Sequence, residues 1–217
     1  MKPLVGVWTD SSLFGADGEK VELETDVVPK ELRHKLHSQS GCFVAMLDED
    51  QVMSGQETID FSVCDWRTHA SRRVLHSTFA AEATTALEAV GSAVFLRTYF
   101  VEIMLGDRHG LDVTEYGEHH VKTMVFTDCK SVYDNICKEC SIPVDRLVAI
   151  SIASLRGVAS ARPQRDEEKT CMKWVPTRWQ LADALTKPGL ESVLATRLAS
   201  ANSSSRSLGC CVEKEKG

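Results

Sequence analysis

The sequence predicts an α/β fold in one domain, a sheet flanked by helices, and three observations lead there. Two apolar β-favouring runs, residues 4–9 (LVGVWT) and 121–127 (VKTMVFT), each end in Thr-Asp followed by a polar turn, at Asp10 and Asp128. Between them lies the longest segment of one character, residues 77–105, where Ala86, Ala89, Ala93, Leu96, Phe100 and Ile103 recur by three and four. That spacing marks a buried helical face, and a second stripe through Ala83, Leu87, Val90 and Val94 widens it. A helix between two strands lets the later one run parallel to the first, or to a neighbour in the same sheet.

The 217 residues suffice for one proper core. It is expected over residues 1–200, with a Ser-rich flexible tail over 201–217. A net charge of -6 excludes binding of nucleic acid by overall basic charge and leaves room for a local basic groove. The opening MKPLVGVWTD has no apolar signal core, and Arg97 and Glu102 interrupt the most apolar stretch. The chain therefore reads as intracellular, cytoplasmic or nuclear, with no membrane partner. Eight scattered cysteines then read as reduced thiols. Cys137 and Cys140 form a CxxC pair, but no second pair and no histidine beyond His120 complete a zinc site.

After the first strand, residues 14–36 are polar and without a period, and read as a surface insertion. Residues 40–47 (SGCFVAML) form a second strand, closed by an acidic turn at Asp48, Glu49 and Asp50, and residues 59–66 (IDFSVCDW) alternate as a third. The pair suggests a hairpin. Residues 67–76 carry the densest basic cluster, with Arg67, Arg72 and Arg73. Such a run is ordinarily a solvated connection, and just ahead of a helix it is also placed to hold a phosphate backbone. Residues 106–120 read as a second insertion, of the length a crossover requires. Residues 131–138 and 144–159 read as helices, 171–175 (CMKWV) as a last strand ended by Pro176, and 180–186 (QLADALT) as the start of a final helix.

Four acids stand out by position. Asp10 and Asp128 sit at strand ends, Glu82 on the apolar side of the long helix near its start, and Asp183 in the first turns of the last helix. Singly, each has a plain reading as a turn, cap or helix-start residue. Together they can converge beyond the carboxyl ends of parallel strands, where sites form in such sheets. Packed carboxylates repel unless a cation joins them, and hard oxygen ligands suit magnesium or manganese. A pair of such ions serves phosphodiester hydrolysis.

In this order along the chain, the four acids resemble the site of the ribonuclease H domain. More narrowly, HSQSGCFVAML (37–47), HSTFAAEA (76–83), FTDCKS (126–131) and WVPTRWQLADALTKP (174–188) resemble the ribonuclease H region of copia-type LTR retrotransposon Pol polyproteins. The resemblance covers residues 5–188. It implies a ribonuclease H-like fold whose five-stranded mixed sheet has three antiparallel strands followed by two parallel to the first. It implies that Asp10, Glu82, Asp128 and Asp183 hold two Mg2+ or Mn2+ ions, with Asp10 bridging them. The implied activity is cleavage of the RNA strand of an RNA/DNA hybrid. The hybrid would be held by Arg67, Arg72, Arg73 and Arg178, with a reverse transcriptase domain supplied by a longer polyprotein. One departure is that many cellular members place a histidine before the last acid, where this chain has Pro176, Thr177, Arg178, Trp179 and Gln180. A second reading is a catalytically silent domain of the same fold that binds nucleic acid or serves structure.

Overall fold

The computed structural model describes residues 2–13, 37–54, 59–71, 74–105, 120–137, 143–158, 170–187 and 207–208. The insertions expected over 14–36 and 106–120, Arg72, Arg73, Cys140 and nearly all of the tail lie outside them, although His120 is described.

The strands are β1 (Pro3–Ser12), β2 (Gln39–Asp48), β3 (Ile59–Ala70), β4 (Lys122–Thr127), β5 (Thr170–Trp174) and β6 (Ser207–Leu208). They form one sheet in the order β5-β4-β1-β2-β3-β6. β1, β2 and β3 are antiparallel in succession, and β4 and β5 run parallel to β1. This is the expected mixed sheet with one strand more. The sixth, β6, pairs antiparallel with the start of β3 through Ile59↔Leu208 and Asp60↔Ser207. It adds a two-residue pairing at the outer edge of the five expected strands, where the backbone groups of β3 are available to it.

Three boundaries also differ from expectation. β1 continues through Asp10 to Ser12, because the ladder with β2 continues through Asp10↔Gly41, Ser11↔Ser40 and Ser12↔Gln39. Asp10 thus lies inside a strand rather than after one. β3 continues to Ala70, so Arg67 and His69 sit on a strand rather than in a connection. The acidic turn after β2 is instead the start of helix α1 (Glu49–Ser54), whose Asp50 N–H donates to the Asp48 side chain at 3.2 Å. Val52 of α1 is buried.

The long helix α2 (Thr78–Leu105) packs against β1, β2 and β4 and against α4 (Arg146–Val158), while α3 (Lys130–Cys137) touches α2, α4, β4 and β5. Ala86, Ala89 and Ala93 of the expected stripe are buried, but the face then drifts through Arg97 to Val101, and Ile103 points outward. A straight helix turns its stripe this way when the residues it must bury recur every four. Arg97, which seemed to interrupt the apolar run, is fully buried and donates to Thr123 Oγ1 at 3.5 Å. Thr78–Met104 is long and apolar enough to cross a membrane, yet half of its most apolar window is buried in this fold.

On the opposite face of the sheet, Trp8 stacks on Phe126 at 4.6 Å between ring centroids and meets Phe43 edge-on at 5.9 Å. Leu181 and Ala182, which lead into helix α5 (Asp183–Thr186), join that cluster. The aromatic floor thereby anchors α5 over the end of β1.

Candidate active site

Adjacent parallel strands carry two of the acids to one level. Trp8 of β1 pairs with Phe126 of β4, and Asp10 and Asp128 each follow two residues later. α2 supplies the third. Its first turn is capped by Ser77, whose Oγ accepts the Ala80 N–H at 3.1 Å, and Glu82 follows on the buried side. Glu82 Oε1 accepts the Ser11 N–H at 3.2 Å. The result is a group of three, Asp10, Glu82 and Asp128, whose ligand oxygens all lie within 4.8 Å of one another.

Each of the three is oriented by neighbours. Asp128 Oδ2 accepts a bond from Thr177 Oγ1 at 2.9 Å, and its Oδ1 one from Gln180 Nε2 at 3.4 Å. Gln180 is itself buried and donates to the Thr9 carbonyl at 2.8 Å, which ties the last loop to β1. Asp10 Oδ2 accepts a short hydrogen bond from Thr186 Oγ1. Asp183 is buried beside them, with its Oδ1 bonded to Lys187 Nζ at 2.5 Å, and the same ammonium lies 3.9 Å from Asp10 Oδ2. Asp183 is thus next to the group of three without sharing its 4.8 Å cluster.

The electrostatics follow from burial. Asp10 is pushed up to about 7, chiefly because its carboxylate is withdrawn from water; the bond from Thr186 and the charge of Lys187 pull it down, and Asp183 and Asp128 add smaller repulsions. Glu82 is pushed up to about 8, again first by burial and then by Asp10 and Asp128, against the opposing bond from Ser11. For Lys187, burial lowers the value, but the bond to Asp183 and the charges of Asp10, Asp183 and Asp128 outweigh it and the net direction is upward.

The donor set fits a divalent cation. Among the described residues, Glu82 Oε2 is a buried oxygen with no hydrogen-bond partner, an arrangement that costs free energy unless something else satisfies it. Three convergent carboxylates offer hard oxygens only, which suits Mg2+ or Mn2+.

The arginines fare unequally. Arg67 is exposed on β3, with its Nε on Asp65 Oδ2 at 2.8 Å. Arg178 is exposed on the 3-10 turn Thr177–Trp179, its guanidinium 5.8 Å from the Trp179 ring centre, one residue from the Thr177 that bonds Asp128. A groove of about 830 Å³ starts at Gly41, the partner of Asp10, and runs along α2 past Thr84 and Glu88 to Phe95, with Arg67 and His69 on its wall.

Four residues that hold the site were not singled out from the sequence: Thr177, Gln180, Thr186 and Lys187. All lie inside the motif WVPTRWQLADALTKP. The available signal was their spacing from Asp183, since a lysine four residues after an acid in a helical turn faces it.

Neither the comparison with protein-family models nor that with curated proteins returns a match. Among solved structures, the chain is similar to LC11-RNase H1, isolated from compost by a metagenomic approach. The identity is 13% and the TM-score 0.44, over 91% of this chain and 99% of that one. It is also similar to LC9-RNase H1, described as a type 1 RNase H with the type 2 active-site motif, at 14% identity and a TM-score of 0.35, over 97% of this chain and 79% of that one. Overlays at these scores add nothing to what the strand pairing shows: this chain has an α/β, ribonuclease H-like fold, its mixed sheet flanked by helices, with an acidic cluster suited to a metal ion where β1 and β4 end.

Proposed function

We propose that this chain is a metal-dependent endoribonuclease that hydrolyses the RNA strand of RNA/DNA hybrids inside the cell, and that it derives from a copia-type retrotransposon Pol polyprotein. One observation carries the reading: three carboxylates from two parallel strands and a buried helix converge within 4.8 Å, and one of their oxygens is buried without a hydrogen-bond partner. A structural acid cluster of that kind would be a net cost to the fold.

Asp10, Glu82 and Asp128 would hold the ion. When bound, a divalent cation there supplies Lewis-acid activation of a phosphodiester and of an attacking water. The chain's own residues set the ligands. The Ser11 N–H fixes one Glu82 oxygen and leaves the other for the ion. Thr177 and Gln180 fix Asp128, and Thr186 fixes Asp10. The hybrid would be held through phosphates and 2′-hydroxyls rather than base edges, with little sequence preference. Arg67 and Arg178, with Arg72 and Arg73, are the cations we assign to it. At a net charge of -6, binding by the chain alone is expected to be weak and steeply salt-dependent, so a reverse transcriptase domain of the same polyprotein is the natural partner.

The test is cleavage of a labelled RNA/DNA hybrid at low salt with Mg2+ or Mn2+, beside Asp128→Asn and a chelator control. Cutting confined to the RNA strand, and lost in both controls, is the expected result. A folded chain that leaves the hybrid intact would instead be the silent structural or nucleic-acid-binding module, or one that needs its polymerase partner, and a Mg2+ titration beside Asp128→Asn separates a chain that binds the metal from one that does not.

A further inference from the structure

Four acids were expected to hold two ions, but the fourth is already paired. Lys187 Nζ bonds Asp183 Oδ1 at 2.5 Å and stands 3.9 Å from Asp10 Oδ2. A cation shared by Asp10 and Asp183 would have to occupy the space that this ammonium fills. The lysine is also held there by its surroundings. Its backbone N–H donates to the Asp183 carbonyl at 3.0 Å, which closes the turn of α5, and the preceding Thr186 is bonded to Asp10. With its neighbours tied to two of the acids, the stem of Lys187 starts from a fixed point, and its side chain is only about two-fifths exposed, at 41%. The buried oxygen without a hydrogen-bond partner among the described residues belongs instead to Glu82.

We infer that Lys187 is a positioning residue that supplies the second positive charge of the site, so that the chain binds one divalent ion, at Asp10, Glu82 and Asp128, and the lysine takes the place of the other. This rests on the metal-dependent reading of the site. A second ion within a few ångströms of Nζ, between Asp10 and Asp183, would face direct repulsion from the ammonium in a buried setting.

The test counts ions by Mn2+ titration of the full chain, followed by calorimetry and by electron paramagnetic resonance, with no substrate needed. Wild type is expected to bind one Mn2+ per chain and show the resolved hyperfine pattern of an isolated ion. Lys187→Ala should bind two, with the signal broadened by spin coupling between them, and Lys187→Arg should restore one. A wild-type chain that holds two coupled ions overturns the proposal without touching the function, and this result does not depend on how any variant folds. A folded Lys187→Ala chain that still binds one ion overturns it as well. A chain that binds no Mn2+ overturns the metal-dependent reading itself and the proposal with it.

Discussion

Asp10→Asn should stabilise the metal-free protein at mildly alkaline pH, even though it removes a ligand. The Asp10 carboxyl sits at about 7 in the fold against an ordinary 3.8. The folded value is the higher one, so the folded chain binds more protons between the two, and the penalty is absent below the lower value and fully developed above the higher. At about pH 8, ionising Asp10 in the fold costs roughly 4 kcal/mol, at about 1.4 kcal/mol per pH unit. Asp183 and Asp128 raise Asp10, and Asp10 in turn raises Glu82, so the part removed with one charge is smaller, about 2 to 4 kcal/mol. Asparagine keeps an oxygen to accept the Thr186 hydroxyl, so the polar contact survives. For a chain of this length that is a rise in melting temperature of roughly 4 to 16 °C. The assay is thermal unfolding in chelator at about pH 8 and again at about pH 4, where the wild-type carboxyl is largely protonated in the fold and the gain should nearly vanish. Adding Mn2+ at the higher pH should raise wild type and leave Asp10→Asn little changed. A variant that melts at or below wild type at about pH 8 would refute the account of Asp10 as a buried charge awaiting a cation.

Two further substitutions probe how the site is held. Gly41 pairs with Asp10, and a Cβ there would meet Thr186 Cγ2 at 2.7 Å, Leu185 Cβ at 3.0 Å and the Ala182 carbonyl at 3.2 Å. Gly41→Ala should therefore cost about 1 to 3 kcal/mol in chemical denaturation and weaken Mn2+ binding by displacing α5. Gly91→Ala, in a helix with nothing within 4 Å, should instead gain about 0.5 to 1 kcal/mol; equal effects at the two glycines would show that α5 does not press on β2. Gln180→Leu removes the buried donor to the Thr9 carbonyl and to Asp128, and should cost about 1 to 3 kcal/mol while lowering hybrid cleavage. Unchanged stability would mean that the loop is held by its apolar contacts alone.

Much of this architecture was legible in the sequence because strands and buried helices leave periodic marks. The alternation in residues 59–66 and the apolar runs at 4–9, 40–47, 121–127 and 171–175 each correspond to a strand, and the Thr-Asp endings of two of them put Asp10 and Asp128 at one level of the sheet. What could not be read were features set by pairing across the fold. Ser11 and Ser12 look like turn residues, and become strand only because Ser40 and Gln39 lie opposite them. Arg97 looks like a break in an apolar helix until Thr123 is seen beneath it. Ser207 and Leu208 pair with β3 because an edge is available, which nothing in a Ser-rich tail announces. In the site, acids were easier to place than their supports. A carboxylate at a strand end is conspicuous by type, whereas a threonine, a glutamine and a lysine in a helical turn acquire meaning only from what they face.

The rung that joins Trp8 to Phe126 also determines how such a site is lost. Side chains on a strand alternate between faces, so one residue inserted between Trp8 and Asp10 would send the carboxylate to the wrong side of the sheet. All the acids would still be present, in order, in an intact motif. The cluster would therefore be lost without a single substitution among its acids. Counting residues from the aromatic pair to each aspartate therefore tests for the cluster better than checking that the acids are there.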